Sequence, residues 1–322
     1  MRPHMTIQPF PLVILGGRDR HRSVLPDGGR DKHPLRGYKA VDTRIGDRTL
    51  IEVLTARLRA TGAFAPIYVA GPRHVYEPLG MDVRLIDTDG EFGENLRAAL
   101  EAVAATGWPQ LVGFTTCDIL PSNTDLQRAL DDLEHQPRFD FWYPQCREPA
   151  DPSRLGSSAW KPRYPIQPTG ETRPVPTLPG HLLVVDPQAL RLELIYRLFE
   201  LAYRSRNRPV RFRRSWIMRH VFWALVREDL RRLFSLRVPN ISWLVLFNGL
   251  TLVARLLAKK LSQRELEDRL HAIFARNRHS RLYPERRGSM PILDVLSLAR
   301  DIDTEEEARE ITGSFLRSET EA

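Results

Sequence analysis

The stretch Leu12–Ser23, LVILGGRDRHRS, is an apolar run that breaks into two glycines followed by arginines. Consecutive aliphatic residues are typical of a buried strand, and paired glycines after them predict a turn. Because Gly16 and Gly17 have no β-carbon, the backbone there can approach a phosphate closely, and Arg18 can neutralise the phosphate charge. The pattern lacks the third glycine of a dinucleotide fingerprint and the Gly-Lys-Ser/Thr of a P-loop. By itself it is equally compatible with a tight turn that exposes its arginines.

Outward from this strand, short apolar runs alternate with helical periodicity up to about residue 190. The predicted strands are PLVILG, PIYVAG, DVRLID, QLVGFTTCD, FDFWYPQC and GHLLVVD. Between them, RTLIEVLTARLRATG and ENLRAALEAVAATG have apolar residues at helical spacing and a glycine just past the end. Strands that alternate with helices predict an α/β domain with a mainly parallel, Rossmann-like sheet.

Two later segments depart from this alternation. Residues 146–180 are rich in proline and have little periodicity, which predicts a loop or excursion over the sheet surface, outside the core, that could also cover a site. Residues 190–290 predict three or four helices, several of them basic and amphipathic. We therefore expect an α/β domain made of residues 1–189 and 291–322, with residues 190–290 as a helical insertion or subdomain.

The composition is that of a globular protein and excludes a disulfide scaffold. The chain has 322 residues, of which 42% are hydrophobic, so it can bury a sizeable core. Two cysteines and the lack of a signal-like leader give a reducing cytoplasm as the expected location. The net charge of +8 is concentrated in residues 190–290, which contain 23 Lys and Arg against 8 Asp and Glu. The positive electrostatic field of this segment favours an anionic partner. The alternative is that the arginines only cover solvated helix faces.

A second apolar run, Leu111–Asn123 or LVGFTTCDILPSN, ends in the single acid Asp118. A carboxylate at the end of a buried strand loses hydration unless a cation compensates its charge, so Asp118 is a candidate ligand. The turn-forming residues around it also allow a role as a turn former or helix N-cap. Lys39 lies just before a predicted helix, from where it could reach a phosphate bound over the glycine turn or remain solvated.

The order of these segments resembles the MobA-like nucleotidyltransferases, whose NTP-binding domain has the glycosyltransferase-A type of fold. In that family a strand enters a LAGG turn, and a PKAL lysine and a G-x-P-L-I-E helix start follow; here these are ILGGR, YKAV and GDRTLIE. GEFGENLRAALEAV is similar to the segment that faces the base and ribose. TTCDILP is similar to the family's GDMPLL aspartate, and ARDIDTEEEAREI to its DIDTPEDL ending. Together with PGHLLVVDPQAL, the resemblance covers residues 11–195 and 291–312.

The resemblance implies transfer of an NMP from an NTP to a small, phosphorylated acceptor, with release of pyrophosphate. It implies Mg²⁺ held by Asp118 and Asp303, because two convergent carboxylates repel each other unless a cation lies between them. The implied nucleotide-binding residues are Leu15, Gly16, Gly17, Arg18, Lys39, Gly93 and Asn95, and the implied catalytic residues are Arg18, Lys39 and Asp118. Asp303 can also belong to a capping box at a helix start.

The match is imperfect around the phosphate turn. The segment from Gly17 to Lys39 is longer than in the family, Lys32 is a rival for the lysine role, and Tyr38 replaces a proline. Two other readings therefore stay open. A glycosyltransferase on the same fold would need a D-x-D where this chain has TCDI, and a non-catalytic protein would keep the fold as a binding platform.

The insertion contains ISWLVLFNGLTLVARLLAKKLS, whose apolar residues fall on one helical face: Trp243, Phe247, Leu250, Ala254, Leu257 and Leu261. A transmembrane span is disfavoured, because the apolar stretch barely reaches about 18 residues and already contains Arg255. We expect this face to pack within a helical subdomain or against a second copy of the chain, or else to contact an anionic membrane surface through residues 212–262. Nucleic acid is the least favoured partner, because the sequence contains no known nucleic-acid-recognition motif.

Overall fold

The computed structural model describes residues 8–18, 31–205, 227 and 241–320. Its largest sheet consists of β1 (Phe10–Leu15), β4 (Phe64–Gly71), β5 (Arg84–Asp87), β6 (Val112–Thr116), β7 (Phe139–Trp142), β11 (Leu182–Val185) and β12 (Arg287–Ser289). The strand order is β12-β7-β11-β6-β1-β4-β5. β11 runs antiparallel to both of its neighbours, whereas the other neighbouring pairs are parallel. The prediction of a mainly parallel α/β sheet is confirmed.

β1 lies at the centre of the core because both faces of the strand are covered. Leu12 and Ile14 point to one face and pack with residues of α2 (Leu50–Ala60) and α5 (Asn123–His135). Val13 and Leu15 point to the other face, where α4 (Phe92–Ala105) packs. Successive side chains of a strand alternate between faces, and burial on both explains why this segment is continuously apolar.

The helix α2 begins within the segment RTLIEVLTARLRATG, for which the sequence predicts a helix. A short helix α1 (Lys39–Asp42) and the hairpin of β2 (Arg44–Ile45) and β3 (Arg48–Thr49) precede α2. Thr49 and Glu52 form a capping box, in which the Glu52 carboxylate accepts from the Thr49 amide at 2.7 Å. The helix α3 (Arg73–Tyr76) follows β4 and places Tyr76 in the core.

The prediction of a loop over residues 146–180 was wrong. The segment contributes to a second sheet made of β8 (Gln145–Arg147), β9 (Tyr164–Ile166), β10 (Val175–Pro179) and β13 (Ile292–Leu293), in the order β13-β8-β10-β9. Pro165 lies opposite Pro176, so the two residues without an amide N–H face each other across one position of the ladder. Strands this short tolerate the loss of a backbone N–H donor at each proline. The prolines therefore do not prevent this segment from forming strands. The predicted strand FDFWYPQC also divides at Pro144, between β7 and β8.

The C-terminal region is largely helical, with α6 (Leu192–Ser205), α7 (Ile241–Leu257), α8 (Gln263–Phe274), α9 (Asn277–Leu282) and α10 (Glu305–Thr320). β12, which falls within the residues assigned to the insertion, forms an edge of the central sheet beside β7. Residues 206–240 of the predicted helical insertion, which include part of the predicted membrane-contacting range 212–262, lie outside the described residues, apart from Arg227. Across the described parts of the chain, no helix combines the length and apolarity needed to cross a bilayer.

Candidate functional site

Backbone pairing brings the two predicted metal ligands to one place. Asp118 follows the carboxyl end of β6, and its carbonyl oxygen accepts a hydrogen bond from the Ile302 amide at 2.7 Å. Ile119 forms an antiparallel bridge with Asp301. The late DID segment is therefore paired with the residues that leave β6, which places Asp303 beside Asp118 although 185 positions separate them in the sequence.

Three carboxylates converge there. Asp118, Asp301 and Asp303 each offer an oxygen within 4.8 Å of the others, and we call them the carboxylate cluster. The buried Lys39 contacts the cluster, with its Nζ 2.7 Å from Asp303 Oδ1 and 3.8 Å from Asp118 Oδ2. Asp301 was missed by the sequence analysis, although it is the first acid of the same DID motif.

A second buried ammonium group reaches the cluster from the proline-rich segment. Lys161 Nζ binds the Asp301 carboxylate and lies 3.6 Å from Asp303 Oδ2 and 3.3 Å from Glu307 Oε1. His181 Nε2 lies 3.5 Å from Asp301 Oδ1. Neither Lys161 nor His181 was identified from the sequence, where the only signal was that residues 146–180 could cover a site.

These neighbours change the pKa values of the acids in opposite directions. Burial, reinforced by the charge of Asp301, raises the pKa of Asp303 to about 6. Burial also disfavours the charged form of Asp301, yet Lys161 and His181 hold its pKa well below the usual range. For Lys161, burial opposes the charge, but the surrounding carboxylates raise its pKa above the ordinary value. Asp301 and Lys161 thus form a charged pair, whereas Asp303 has an incompletely compensated carboxylate.

The donor set fits a hard divalent cation. Four carboxylates, those of the carboxylate cluster and of the fully buried Glu307, meet two ammonium groups, so negative charge is in excess. Asp118 Oδ1 is buried and has no hydrogen-bond partner among the described residues. An unpaired buried carboxylate oxygen is costly, and oxygen-only ligands match the preference of Mg²⁺.

The glycine turn lies at the neighbouring strand end. A β-carbon at Gly16 would come 2.6 Å from Tyr76 Oη, whose hydroxyl donates to the Gly16 carbonyl at 2.7 Å, so glycine is required here for packing. Gly17 is half-buried beside Asn95. Arg18 is exposed, with Nη2 3.2 Å from Asp89 Oδ2 and its guanidinium over the Tyr38 ring. Arg18 therefore lies at the rim of this end of the sheet, where solvent and ligands have access.

The predicted base and ribose residues have different surroundings. Gly93 lies under α6, where an added β-carbon would come 2.9 Å from the Tyr196 carbonyl oxygen, so it serves close packing of two helices. The Asn95 side chain holds the loop after β5, accepting from Thr88 Oγ1 at 2.8 Å and from the Gly90 amide at 3.0 Å. Leu15 is buried at the end of β1. Asn95 thus fixes a loop beside the glycine turn, whereas Gly93 faces a helix.

Comparison with known proteins shows that the chain shares its fold with a solved structure. No family model matches the chain, and no curated protein matches it. A solved structure described as a hypothetical transferase from Thermus thermophilus is 22% identical, covers 94% of this chain and 99% of its own, and gives a TM-score of 0.51. The chain shares the fold of that transferase. A CMP:2-keto-3-deoxy-manno-octonic acid synthetase complexed with CTP is 12% identical, covers 96% of this chain and 99% of its own, and gives a TM-score of 0.49. The predicted fold class is confirmed as an α/β fold with a mainly parallel central sheet and a helical C-terminal region.

Proposed function

We propose that this protein is a Mg²⁺-dependent nucleotidyltransferase of the MobA-like type, which transfers an NMP from an NTP to a small, phosphorylated acceptor. The observation that carries the proposal is the convergence of Asp118, Asp301 and Asp303 with Lys39 at the carboxyl end of β6, beside the glycine turn. Carboxylates and cations at the strand ends of an open α/β sheet lie where such folds bind their ligands. The order of sequence motifs along the chain supports the same reaction class.

In this reaction an acceptor oxygen attacks the α-phosphorus in line. The new oxygen–phosphorus bond forms while the bond to pyrophosphate breaks, and the leaving pyrophosphate takes the electron pair. The protein contributes positioning and charge, and groups of this kind are worth about 3 kcal/mol each in the transition state. When bound, Mg²⁺ held by the carboxylate cluster would neutralise charge on the phosphate oxygens.

Arg18 is suited to bind the triphosphate because its present contact is weak. It is exposed, and its ion pair with Asp89 lies at the surface, where such pairs contribute about 0–1 kcal/mol. Exchanging Asp89 for a phosphate therefore costs little. Lys39 differs, since it is buried against Asp303 and Asp118, and it can approach a phosphate only beside the carboxylate cluster.

The first experiment measures thermal unfolding with each of the four NTPs, with and without Mg²⁺. We expect one NTP to raise the melting temperature in the presence of Mg²⁺, and Asp118→Asn to abolish the shift. Asp47→Asn is the matched control, because Asp47 is an exposed aspartate in the turn between β2 and β3. The proposal fails if no NTP shifts the melting temperature, or if Asp118→Asn keeps the full shift. Pyrophosphate release with phosphorylated acceptors then separates nucleotidyl transfer from glycosyl transfer and from binding alone.

A further inference from the structure

The helix α7 exposes a row of large apolar side chains along one face. We call Trp243, Phe247, Leu250, Val253 and Leu257 the apolar stripe; their exposed fractions are 74%, 53%, 53%, 52% and 63%. The rings of Trp243 and Phe247 stack with centroids 6.1 Å apart. The stripe exposes on the order of 500 Å² of apolar surface, which is at the upper end for a patch on a monomeric protein. Patches of this size are often functional surfaces.

The stripe is a second apolar face on a helix whose first apolar face is already buried. Val245 is buried against Ile273 of α8, and Leu246 and Leu252 pack around this contact. Large apolar side chains on two faces of one helix are normally both covered. Packing among the described helices buries Val245 and leaves the stripe exposed, so a further surface is needed to cover it.

The charge around the stripe indicates what that surface is. The sequence from residue 241 to residue 264 contains no acid, and Lys259, Lys260 and Arg264 are exposed. The sequence immediately before it, residues 206–240, contains ten arginines and two acids. Aromatic and aliphatic side chains on α7, with exposed cations just after the helix and many arginines before it in the sequence, match an interface of acyl chains below anionic headgroups. We propose that the apolar stripe of α7 docks on an anionic lipid surface, independently of any nucleotidyl transfer.

Other occupants fit the stripe less well. A symmetric contact between two copies would bring two sets of the same cations into one interface, and residues 241–264 contain no acid to pair with them. Nucleic acid would bind the cations and leave the apolar side chains in water. α7 has 17 residues, so at 1.5 Å per residue it is about 25 Å long, shorter than the apolar core of a bilayer. It would therefore lie along the surface.

The test is flotation of the full-length protein with two kinds of vesicle, one of phosphatidylcholine alone and one of phosphatidylcholine mixed with phosphatidylglycerol. We expect binding to the anionic vesicles only, weakened by added salt, which screens the headgroup charge. The triple variant Trp243→Ser, Phe247→Ser, Leu250→Ser should lower the partition coefficient roughly 100-fold, because three large apolar side chains no longer leave water. Lys260→Gln should lower it about fivefold, as expected for the loss of one cation near the surface.

Trp108→Ser is the matched control, because Trp108 is also exposed, at 49%, but follows α4. It should float like the native protein, and circular dichroism should show that every variant is folded. The proposal is overturned if the native protein does not float with anionic vesicles, or if the triple variant floats equally well. Sedimentation equilibrium covers the second-copy alternative: a dimer that the triple variant abolishes, without vesicle binding by the native protein, also overturns the proposal.

Discussion

Lys161 balances the charge of the acids around the carboxylate cluster. Its Nζ contacts Asp301, Asp303 and the fully buried Glu307, and the lysine is itself buried. We expect Lys161→Met to lower the free energy of unfolding by roughly 3 kcal/mol in EDTA, because removing one partner leaves buried charges uncompensated. Mg²⁺ should restore part of this loss, since a bound cation replaces the missing charge. Urea unfolding in EDTA and in MgCl₂ measures both effects.

Lys260→Met is the matched control for this prediction. Lys260 is an exposed lysine beyond α7, so its replacement should change stability little in either buffer. An equal loss of stability for Lys161→Met with and without Mg²⁺ would show that Lys161 supports packing alone, and that no cation occupies the cluster.

At the scale of elements, the start of α10 shapes the site. The Glu307 carboxylate accepts hydrogen bonds from the backbone amides of Asp303 and Thr304, at 2.8 Å and 3.1 Å, and the Glu307 amide donates to Thr304 Oγ1. This is the capping box anticipated from the sequence. The Glu307 carboxylate also holds the backbone amide of Asp303 in place. The structural role and the candidate ligand role of Asp303 are thus compatible.

Loss of this cap should affect stability and ligand binding together. We expect Thr304→Ala to lower the free energy of unfolding by about 1 kcal/mol, as is usual for an N-cap, and to weaken NTP binding in Mg²⁺. Ser262→Ala removes the N-cap of α8, where Ser262 Oγ accepts from the Glu265 amide at 3.2 Å. It should cost similar stability without changing NTP affinity, as measured by calorimetric titration. Equal affinities for the two variants would contradict a link between the cap and the site.

The elements that sequence reasoning predicted are those with a sustained apolar pattern. β1 is a continuous apolar run and α4 has apolar residues at helical spacing over its whole length, so local pattern and final packing agree. β9 and β10 are short and contain proline, and their stability comes from neighbours in the second sheet that no local pattern reveals.

The same limit applies to the site. Asp118 was found because it ends an apolar run, and Asp303 because it belongs to a motif. Lys161 depends on the missed sheet and contacts Asp301, 140 positions later, so its role becomes visible only in three dimensions.

At the scale of the whole molecule, a buried ion-pair cluster joins the helical region to the central sheet. Arg286 Nε donates to Asp140 Oδ1 at 2.6 Å, and Nη2 donates to Asp186 Oδ2 at 2.7 Å. His271 of α8 lies 2.8 Å from Asp140 Oδ2. With His279, the two acids also have the spacing of a metal site, but the Arg286 guanidinium already bridges them. The cluster thus holds β7, β12 and α8 together.

Removing the central acid should weaken this connection in a pH-dependent way. Burial tends to raise the pKa of Asp140, but the His271 contact and the Arg286 charge lower it below the ordinary value of 3.8. A carboxyl group with a lowered pKa stabilises the fold above its unfolded value and loses that contribution as pH falls through the folded value. We expect Asp140→Asn to cost about 3 kcal/mol at neutral pH, because Arg286 stays buried without its partner.

The difference in unfolding free energy between the native protein and Asp140→Asn should therefore shrink as the pH is lowered below the ordinary carboxyl range. Urea unfolding at neutral and at acid pH measures it. Asp82→Asn is the control, because Asp82 is 95% exposed and its ion pair with Arg59 contributes little. A difference that stays constant into acid would mean that Asp140 acts through shape and hydrogen bonding, since its charge would then contribute nothing to the connection between the helices and the sheet.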